Sequence, residues 1–242
     1  MTSHTSMPDY SGLRALFFNC SLKPDNAESH TQTLMKASIE LMQTAGVSVE
    51  TVHMRDHHVA FGVQPDMTEH GAEQDDWPKL WEKIKAADIL VVGTPIWLGE
   101  PSSVCRLLIE RLYAMSGVLN ETGQSVYYGK VGGTVVTGNE DGVKQCATSI
   151  LYALSHLGCT IPPQADCGWI GPIGPGPSYG DARDDGTIVG ADSEFTRKNT
   201  TIMSWNLMHL AALLKDGIPS YGNDRRAWKN GNRFGFENPE YR

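Results

Sequence analysis

The sequence predicts an α/β fold, a doubly wound five-stranded parallel sheet covered by helices on both faces. Three observations predict it. Short apolar runs alternate along the chain with segments whose apolar residues recur at helical spacing. The run Ile89–Thr94 (ILVVGT) is apolar on both of its faces, as a central parallel strand must be. The length of 242 residues, with 40% hydrophobic and 20% charged, supplies enough apolar surface for such a core without disulfides.

After a polar arm over residues 1–12, Leu13–Asn19 (LRALFFN) reads as the first strand and the polar stretch Cys20–His30 as a long loop. A helix is expected from Thr31, because Leu34, Ser38, Leu41 and Ala45 share one face and Gly46 stands at the C-terminal stop. Val47–His53 is the second strand. Histidines and prolines interrupt Arg55–Asp76, which shows no period and is expected to be loop. Trp77, Leu80, Trp81 and Ile84 then mark a helix ending near Ala87. The third strand, Ile89–Thr94, is expected to break at Pro95–Pro101, before a helix whose helical spacing takes in Val104, Leu107, Leu108, Arg111, Leu112 and Met115. Val131–Thr137 is the fourth strand and Gly138–Gly142 a turn. Cys146, Ile150, Leu154 and Leu157 define an amphipathic helix closed by Gly158. The fifth strand falls in Thr160–Ile170, and Pro162-Pro163 confines its regular pairing to Gln164 onward.

Gly171–Gly190 is too rich in Gly and Pro for a regular element and is expected to be a loop of fixed shape or a lid. A last helix lies in Ser193–Lys215, with Met203, Leu207, Leu210 and Leu214 on one stripe. Asp216–Arg242 carries Tyr221, Trp228, Phe234, Phe236 and Tyr241, too apolar for a solvated tail. The expected organisation is therefore an arm (1–12), an α/β domain (13–170) and a C-terminal extension (171–242) packed on the same domain or on a neighbouring subunit. The extension's aromatics predict a homodimer or homotetramer.

Composition excludes several classes. With 28 acidic and 20 basic residues the net charge is −8, which repels phosphate backbones and makes nucleic acid a poor partner. The five cysteines are odd in number and far apart, which points to a reducing compartment. No window has the roughly 20 apolar residues of a membrane span, and Met1–Ser11 lacks a signal-peptide core, so a cytoplasmic location is expected. His53, His57, His58 and His70 lack the companions of a zinc set and read as surface histidines, and Cys20 reads as a small buried residue. Asn19 and Thr94 stand where a phosphoacceptor receiver would need acids, and no G-x-G-x-x-G follows the first strand. Hydrolase motifs are absent.

In open parallel sheets ligands bind outside the carboxyl ends of the strands. Cys20–Thr33, Pro95–Ser103 and Gly138–Gly142 should therefore converge. The first of these loops carries the hydroxyls of Ser21, Ser29, Thr31 and Thr33, with Lys23 its one basic residue, and ends at a helix start. Free N–H donors and the positive dipole end there suit a phosphate monoester; plain N-capping is the alternative. Thr94-Pro95-Ile96-Trp97-Leu98-Gly99 offers apolar surface and backbone amides to a flat aromatic ligand, although a tryptophan such as Trp97 is more often a core or interface residue than a ligand contact. Gly138-Asn139-Glu140-Asp141-Gly142 is either an ordinary turn or a set of amides facing a ring edge.

These loops give the chain a resemblance to the flavodoxin-fold family of NADPH-dependent FMN reductases and related flavodoxin-like NAD(P)H:quinone oxidoreductases. The motifs that carry it are Ser21-Leu22-Lys23 with Ser29-His30-Thr31, Thr94–Gly99 followed by Arg106, and Thr137–Gly142, over about Leu13 to Ile170. Trp97 replaces the family's usual tyrosine, Glu140 and Asp141 are acidic departures, and the first loop is longer than usual. The resemblance implies strand order 2-1-3-4-5 and non-covalent FMN. Ser21, Lys23, Ser29 and Thr31 would hold its phosphate, with Thr33 beside them. Pro95, Ile96, Trp97, Leu98 and Gly99 would line the isoalloxazine, and Thr137, Gly138, Asn139 and Gly142 would flank its pyrimidine edge. It further implies two-electron ping-pong hydride transfer from NAD(P)H to a small planar acceptor such as a quinone, with the chemistry on the flavin N5 and no catalytic side chain. Neither Arg106 nor Arg183 can be set against a ribose phosphate, so NADPH and NADH stay open. A single-electron carrier of the same fold is the alternative, and the extension argues for a walled pocket instead.

Overall fold

The computed structural model describes residues 8–24, 29–217, 225–226 and 230–231. The elements are β1 (Arg14–Asn19), α1 (His30–Thr44), β2 (Ser48–His53), α2 (Trp77–Ala86), β3 (Ile89–Trp97), β4 (Glu100–Pro101), α3 (Ser103–Ala114), β5 (Val131–Gly138), α4 (Val143–Leu157), β6 (Asp166–Ile170) and α5 (Glu194–Gly217). The main sheet is parallel with order β2-β1-β3-β5-β6, and the two-residue β4 pairs antiparallel with β3. With β4 set aside, this is the expected order 2-1-3-4-5.

Period-two alternation divides the core. Leu16 and Phe18 of β1 face one layer with Trp77, Leu80, Leu108 and Leu154. Ala15 and Phe17 face the other, with Leu34 and Met35 of α1 and Met203 and Leu207 of α5. Each phenylalanine has no exposed surface, which stabilises by about 2–3 kcal/mol per side chain. Gly93 sets how closely α1 approaches β3, since a Cβ there would lie 2.2 Å from Met35 Sδ.

Three elements differ from expectation. Strand β3 runs through Pro95 to Trp97. Its ladder with β1 stops at Gly93, so the missing Pro95 N–H forfeits no bond to that neighbour, and the chain turns back through Leu98-Gly99 into β4. The loop Arg55–Asp76 contains two 3-10 turns, Met54–Asp56 and Met67–His70, and is pinned from below by a buried ion pair. Arg111, read from its spacing as part of the apolar stripe of α3, donates to the Gly62 and Gln64 carbonyls (3.1 and 2.8 Å) and to Asp75 Oδ2 (2.6 Å). Finally, Tyr10 of the arm is buried against α5, its hydroxyl 2.6 Å from His209 Nδ1.

The first part of the extension packs on this chain's own sheet. Helix α5 lies against α1, with Ser38 Oγ and Ser204 Oγ 2.7 Å apart, and Lys215 donates to Gly12 O (2.6 Å) and Asp88 Oδ2 (3.0 Å). Tyr221, Trp228, Phe234, Phe236 and Tyr241 lie outside the described residues.

Candidate functional site

Beyond the carboxyl ends of β1, β3, β5 and β6 lies a cavity of about 620 Å³. Its first wall grows from the end of β1. Asn19 Oδ1 accepts the Ser21 N–H (3.0 Å), Asn19 Nδ2 donates to Ser29 Oγ (3.3 Å), and Ser21 Oγ accepts the Lys23 N–H (3.2 Å). Ser29 is thereby placed to cap α1, accepting the Gln32 N–H at 3.1 Å. The N–H groups of His30 and Thr31, first in the helix, have no acceptor within it, and they sit at its positive dipole end. Thr31 Oγ1 and Thr137 Oγ1 are 3.0 Å apart, which locks the helix start to the end of β5.

The second and third walls are the ends of β3 and β5. Pro95, Ile96 and Trp97 lie opposite Thr137, Gly138, Asn139 and Glu140. Leu98 adopts φ 53°, and its N–H donates to Glu140 Oε1 at 2.9 Å, which ties the two loops together. Gly142 is required here: it has φ 134°, and a Cβ would lie 2.8 Å from Gly99 Cα. The fourth wall comes from Trp169, Ile173, Gly174, Pro175, Ser178 and Tyr179. It is held at both ends. Asn139 Nδ2 donates to Pro177 O (2.9 Å), and Asn139 Oδ1 accepts from Ser178 Oγ (2.8 Å). His30 Nδ1 lies 2.9 Å from Tyr179 O. The rings of Trp169 and Tyr179 meet edge to face, 5.7 Å apart at 62°.

The sequence-predicted residues divide as follows. Ser21, Lys23, Thr31, Pro95, Ile96, Trp97, Thr137, Gly138 and Asn139 line the cavity. Ser29, Thr33, Leu98, Gly99 and Gly142 are not on its lining. The Ser29 hydroxyl is committed to the cap, and the Thr33 hydroxyl donates to Ser29 O (3.2 Å). Leu98 points outward, 92% exposed, and Gly99 and Gly142 shape the loops from behind. Sequence reasoning missed Leu22, His30 and the whole fourth wall, and it named Glu140 only as a departure. The rule that ligands sit outside carboxyl strand ends would have found Trp169 had it been applied to the fifth main strand as well. Arg106 pairs with Glu100 and donates to Ser149 Oγ on the helical layer, and Arg183 donates to Thr187 Oγ1 (3.2 Å), so neither lines the cavity.

Burial raises the Tyr179 phenol above its ordinary pKa, which keeps it protonated. Burial likewise raises the Cys20 thiol well above its usual value and the Cys146 thiol to about 11, so neither is a thiolate at neutral pH. Among the described lining residues, Lys23 is the one Lys or Arg, and it stands at the α1 end. The donor set at that end is two hydroxyls, two free peptide N–H groups and an ammonium. It matches a phosphate monoester, and the Trp97, Trp169 and Tyr179 walls match a flat ring, so the residues present fit FMN.

A parallel sheet of this order, with a helix N-terminus and aromatic loops at its carboxyl edge, defines a flavodoxin-like protein. Residues 13–168 match the model of the NADPH-dependent FMN reductase family, and the chain belongs to that family. Members of the family bind FMN and use NADPH. The chain is 34% identical over 209 residues to the 8-demethyl-8-aminoriboflavin-5'-phosphate synthase of Streptomyces davaonensis, covering 84% of this chain and 79% of that one. It superposes with TM-score 0.78 and 33% identity on the crystal structure of RosB with bound 8-demethyl-8-formylriboflavin-5'-phosphate, covering 93% and 88%. It is also 54% identical over 208 residues to a Mycobacterium bovis protein described as the divalent metal cation transporter MntH. That match covers 86% of this chain and spans only 30% of the relative's length. Among the described residues no helix is long and apolar enough to cross a membrane, and no group of three or more His, Cys, Asp or Glu is placed to hold a metal ion.

Proposed function

We propose that this chain binds FMN non-covalently in the cavity and, with NAD(P)H, carries out two-electron reduction of a small planar acceptor, neutral quinones foremost. One observation carries the reading: a single cavity joins an anion cradle at the N-terminus of α1 to a wall of Trp97, Trp169 and Tyr179. Bound FMN supplies hydride acceptance and donation. The chain's residues bind and orient it. Ser21, Lys23, Thr31 and the amides of His30 and Thr31 hold the phosphate, Ile96 and Trp97 pack against the ring, and Gly138 and Asn139 stand along one edge. The covering segment excludes water from the opposite side. The acceptor class follows from charge. Among the described lining residues Glu140 carries the one carboxylate, beside the neutral Asn139 and Ser178, which favours a neutral flat molecule over an anion. The wall of Trp169, Ile173 and Tyr179 on the fourth side of the cavity argues against a single-electron carrier with an open flavin edge.

The deciding experiment is anaerobic mixing of FMN-loaded protein with NADPH, and in parallel NADH, followed by a benzoquinone. The expected result is bleaching of the flavin absorbance by the nucleotide and its return with the quinone, together with parallel lines in steady-state double-reciprocal plots. Failure of both nucleotides to bleach the flavin refutes the reading. A second reading, in which the flavin itself is the substrate, is favoured by the likeness to an aminoriboflavin-phosphate synthase along 84% of the chain. It predicts a change in flavin mass after aerobic incubation, detected by liquid chromatography and mass spectrometry.

A further inference from the structure

His30 touches both ends of the cavity. Its Nδ1 lies 2.9 Å from the Tyr179 carbonyl oxygen and 3.6 Å from Asp181 Oδ1. Its Nε2 lies 3.2 Å from Lys23 Nζ. An ammonium has only hydrogens to offer and a carbonyl only lone pairs, so the partners assign the tautomer: Nδ1 carries the proton and donates to Tyr179, and Nε2 accepts from Lys23. The Tyr179 carbonyl belongs to the covering segment, whose other anchor is Asn139.

We propose that His30 is a positioning residue that ties this segment to the phosphate end of the cavity, so that the segment closes over phosphorylated flavins and not over riboflavin. The proposal rests on the reading that the cavity binds a flavin. A phosphate seated on the His30 and Thr31 amides draws the one lysine of the lining toward it. An ammonium held between the phosphate and Nε2 loses its freedom, Nε2 stays an acceptor, and the Nδ1 proton stays aimed at Tyr179. Without the phosphate, the partly exposed Lys23 is held against Nε2 by that one contact, and only the Tyr179 carbonyl and the Asp181 carboxylate still favour the Nδ1 proton. In the other tautomer a lone pair on Nδ1 faces the carbonyl oxygen, and the tie is lost. Riboflavin leaves the site in that second condition.

Hydrogen exchange of the peptides spanning 171–181, read by mass spectrometry with saturating FMN or riboflavin, tests this. One net hydrogen bond corresponds to exchange about three- to tenfold slower with FMN than with riboflavin. In His30→Phe and Lys23→Met, both on partly exposed side chains, that difference should vanish. Asn139→Ala should speed exchange with both ligands and preserve the difference, as loss of an ordinary anchor would. Equal protection by the two flavins in the wild type, or a difference that survives His30→Phe, overturns the proposal. A wild type that binds FMN without the difference refutes the tie alone. A wild type whose absorption shows no FMN binding refutes the site reading beneath it as well.

Discussion

Asp75→Asn tests what holds the long loop between β2 and α2. The Asp75 and Arg111 side chains have no exposed surface, and their charged groups meet at 2.6 Å. Besides Arg111, the carboxylate accepts the N–H groups of Ala60 (3.3 Å), Met67 (3.0 Å) and Trp77 (3.1 Å), so it gathers two parts of the loop and the start of α2 on one charge. The guanidinium lies 5.5 Å over the Trp77 ring, and its Nε has no partner. Burial lowers the Arg111 pKa in spite of the attraction of Asp75, so the cation sits here at a cost that its partners offset. An amide keeps the shape, removes the charge and turns one acceptor into a donor facing donors. Leaving a buried charge without its counter-ion costs about 3–5 kcal/mol. With a urea slope of about 2–3 kcal/mol/M, the midpoint should fall by roughly 1–2.5 M. The Asp75→Asn/Arg111→Met pair should lose less than the sum of its singles, by about 2 kcal/mol, while FMN affinity stays unchanged in all three. Additive losses, or a midpoint shift under about 0.3 M for Asp75→Asn, would refute a loop clamped by this pair.

Ser29→Ala removes a buried cap that accepts from Gln32 and from Asn19. It should cost about 1 kcal/mol, read as a melting temperature about 2–4 °C lower, and weaken FMN binding in fluorescence titration; an unchanged melt contradicts the cap. All five cysteines are free and buried. Burial pushes the Cys146 thiol to about 11 and those of Cys159 and Cys167 to about 12, so at pH 8 a thiol-reactive disulfide reagent should label none of the five rapidly until guanidinium is added.

What was legible in the sequence is what repeats. The period-two and helical stripes carried the five parallel strands and the helices between them, because burial on two faces leaves a pattern at every step. Pro95 was misread because a proline ends a strand only where its N–H has a partner to lose, and the β1 ladder stops at Gly93. Ser29, Thr31 and Thr33 looked alike as hydroxyls near a helix start. Which one reaches the cavity depends on the turn of the helix and on the hydrogen bonds the others make, and composition does not encode that. The fourth wall was invisible for a different reason. Ile173 to Tyr179 has no period, and its position is fixed by two hydrogen bonds to Asn139 and one to His30, from segments more than thirty residues away. Arg111 stood on an apolar stripe and was counted with it, although a buried arginine needs acceptors and so implied a polar loop overhead.

The proposed acceptor class can be tested at Glu140 without disturbing the loops. Its Oε1 accepts the Leu98 N–H at 2.9 Å, and a glutamine keeps that acceptor while deleting the charge. The carboxylate is the one Asp or Glu among the described lining residues, in a chain whose net charge is already −8. A sulfonate carried by a quinone about 6 Å from it is repelled by about 2–3 kcal/mol at an effective dielectric near 20, which salt and exposure reduce to about 1 kcal/mol. Steady-state kcat/KM for a sulfonated naphthoquinone should therefore rise roughly fivefold in Glu140→Gln relative to its neutral parent. The gain should shrink as ionic strength increases. The neutral quinone should react equally well with both proteins, since the Leu98 tie and the ring wall are intact. A charged-to-neutral ratio that does not move would mean that the acceptor never approaches Glu140, and the argument from charge to a neutral planar substrate would fall with it.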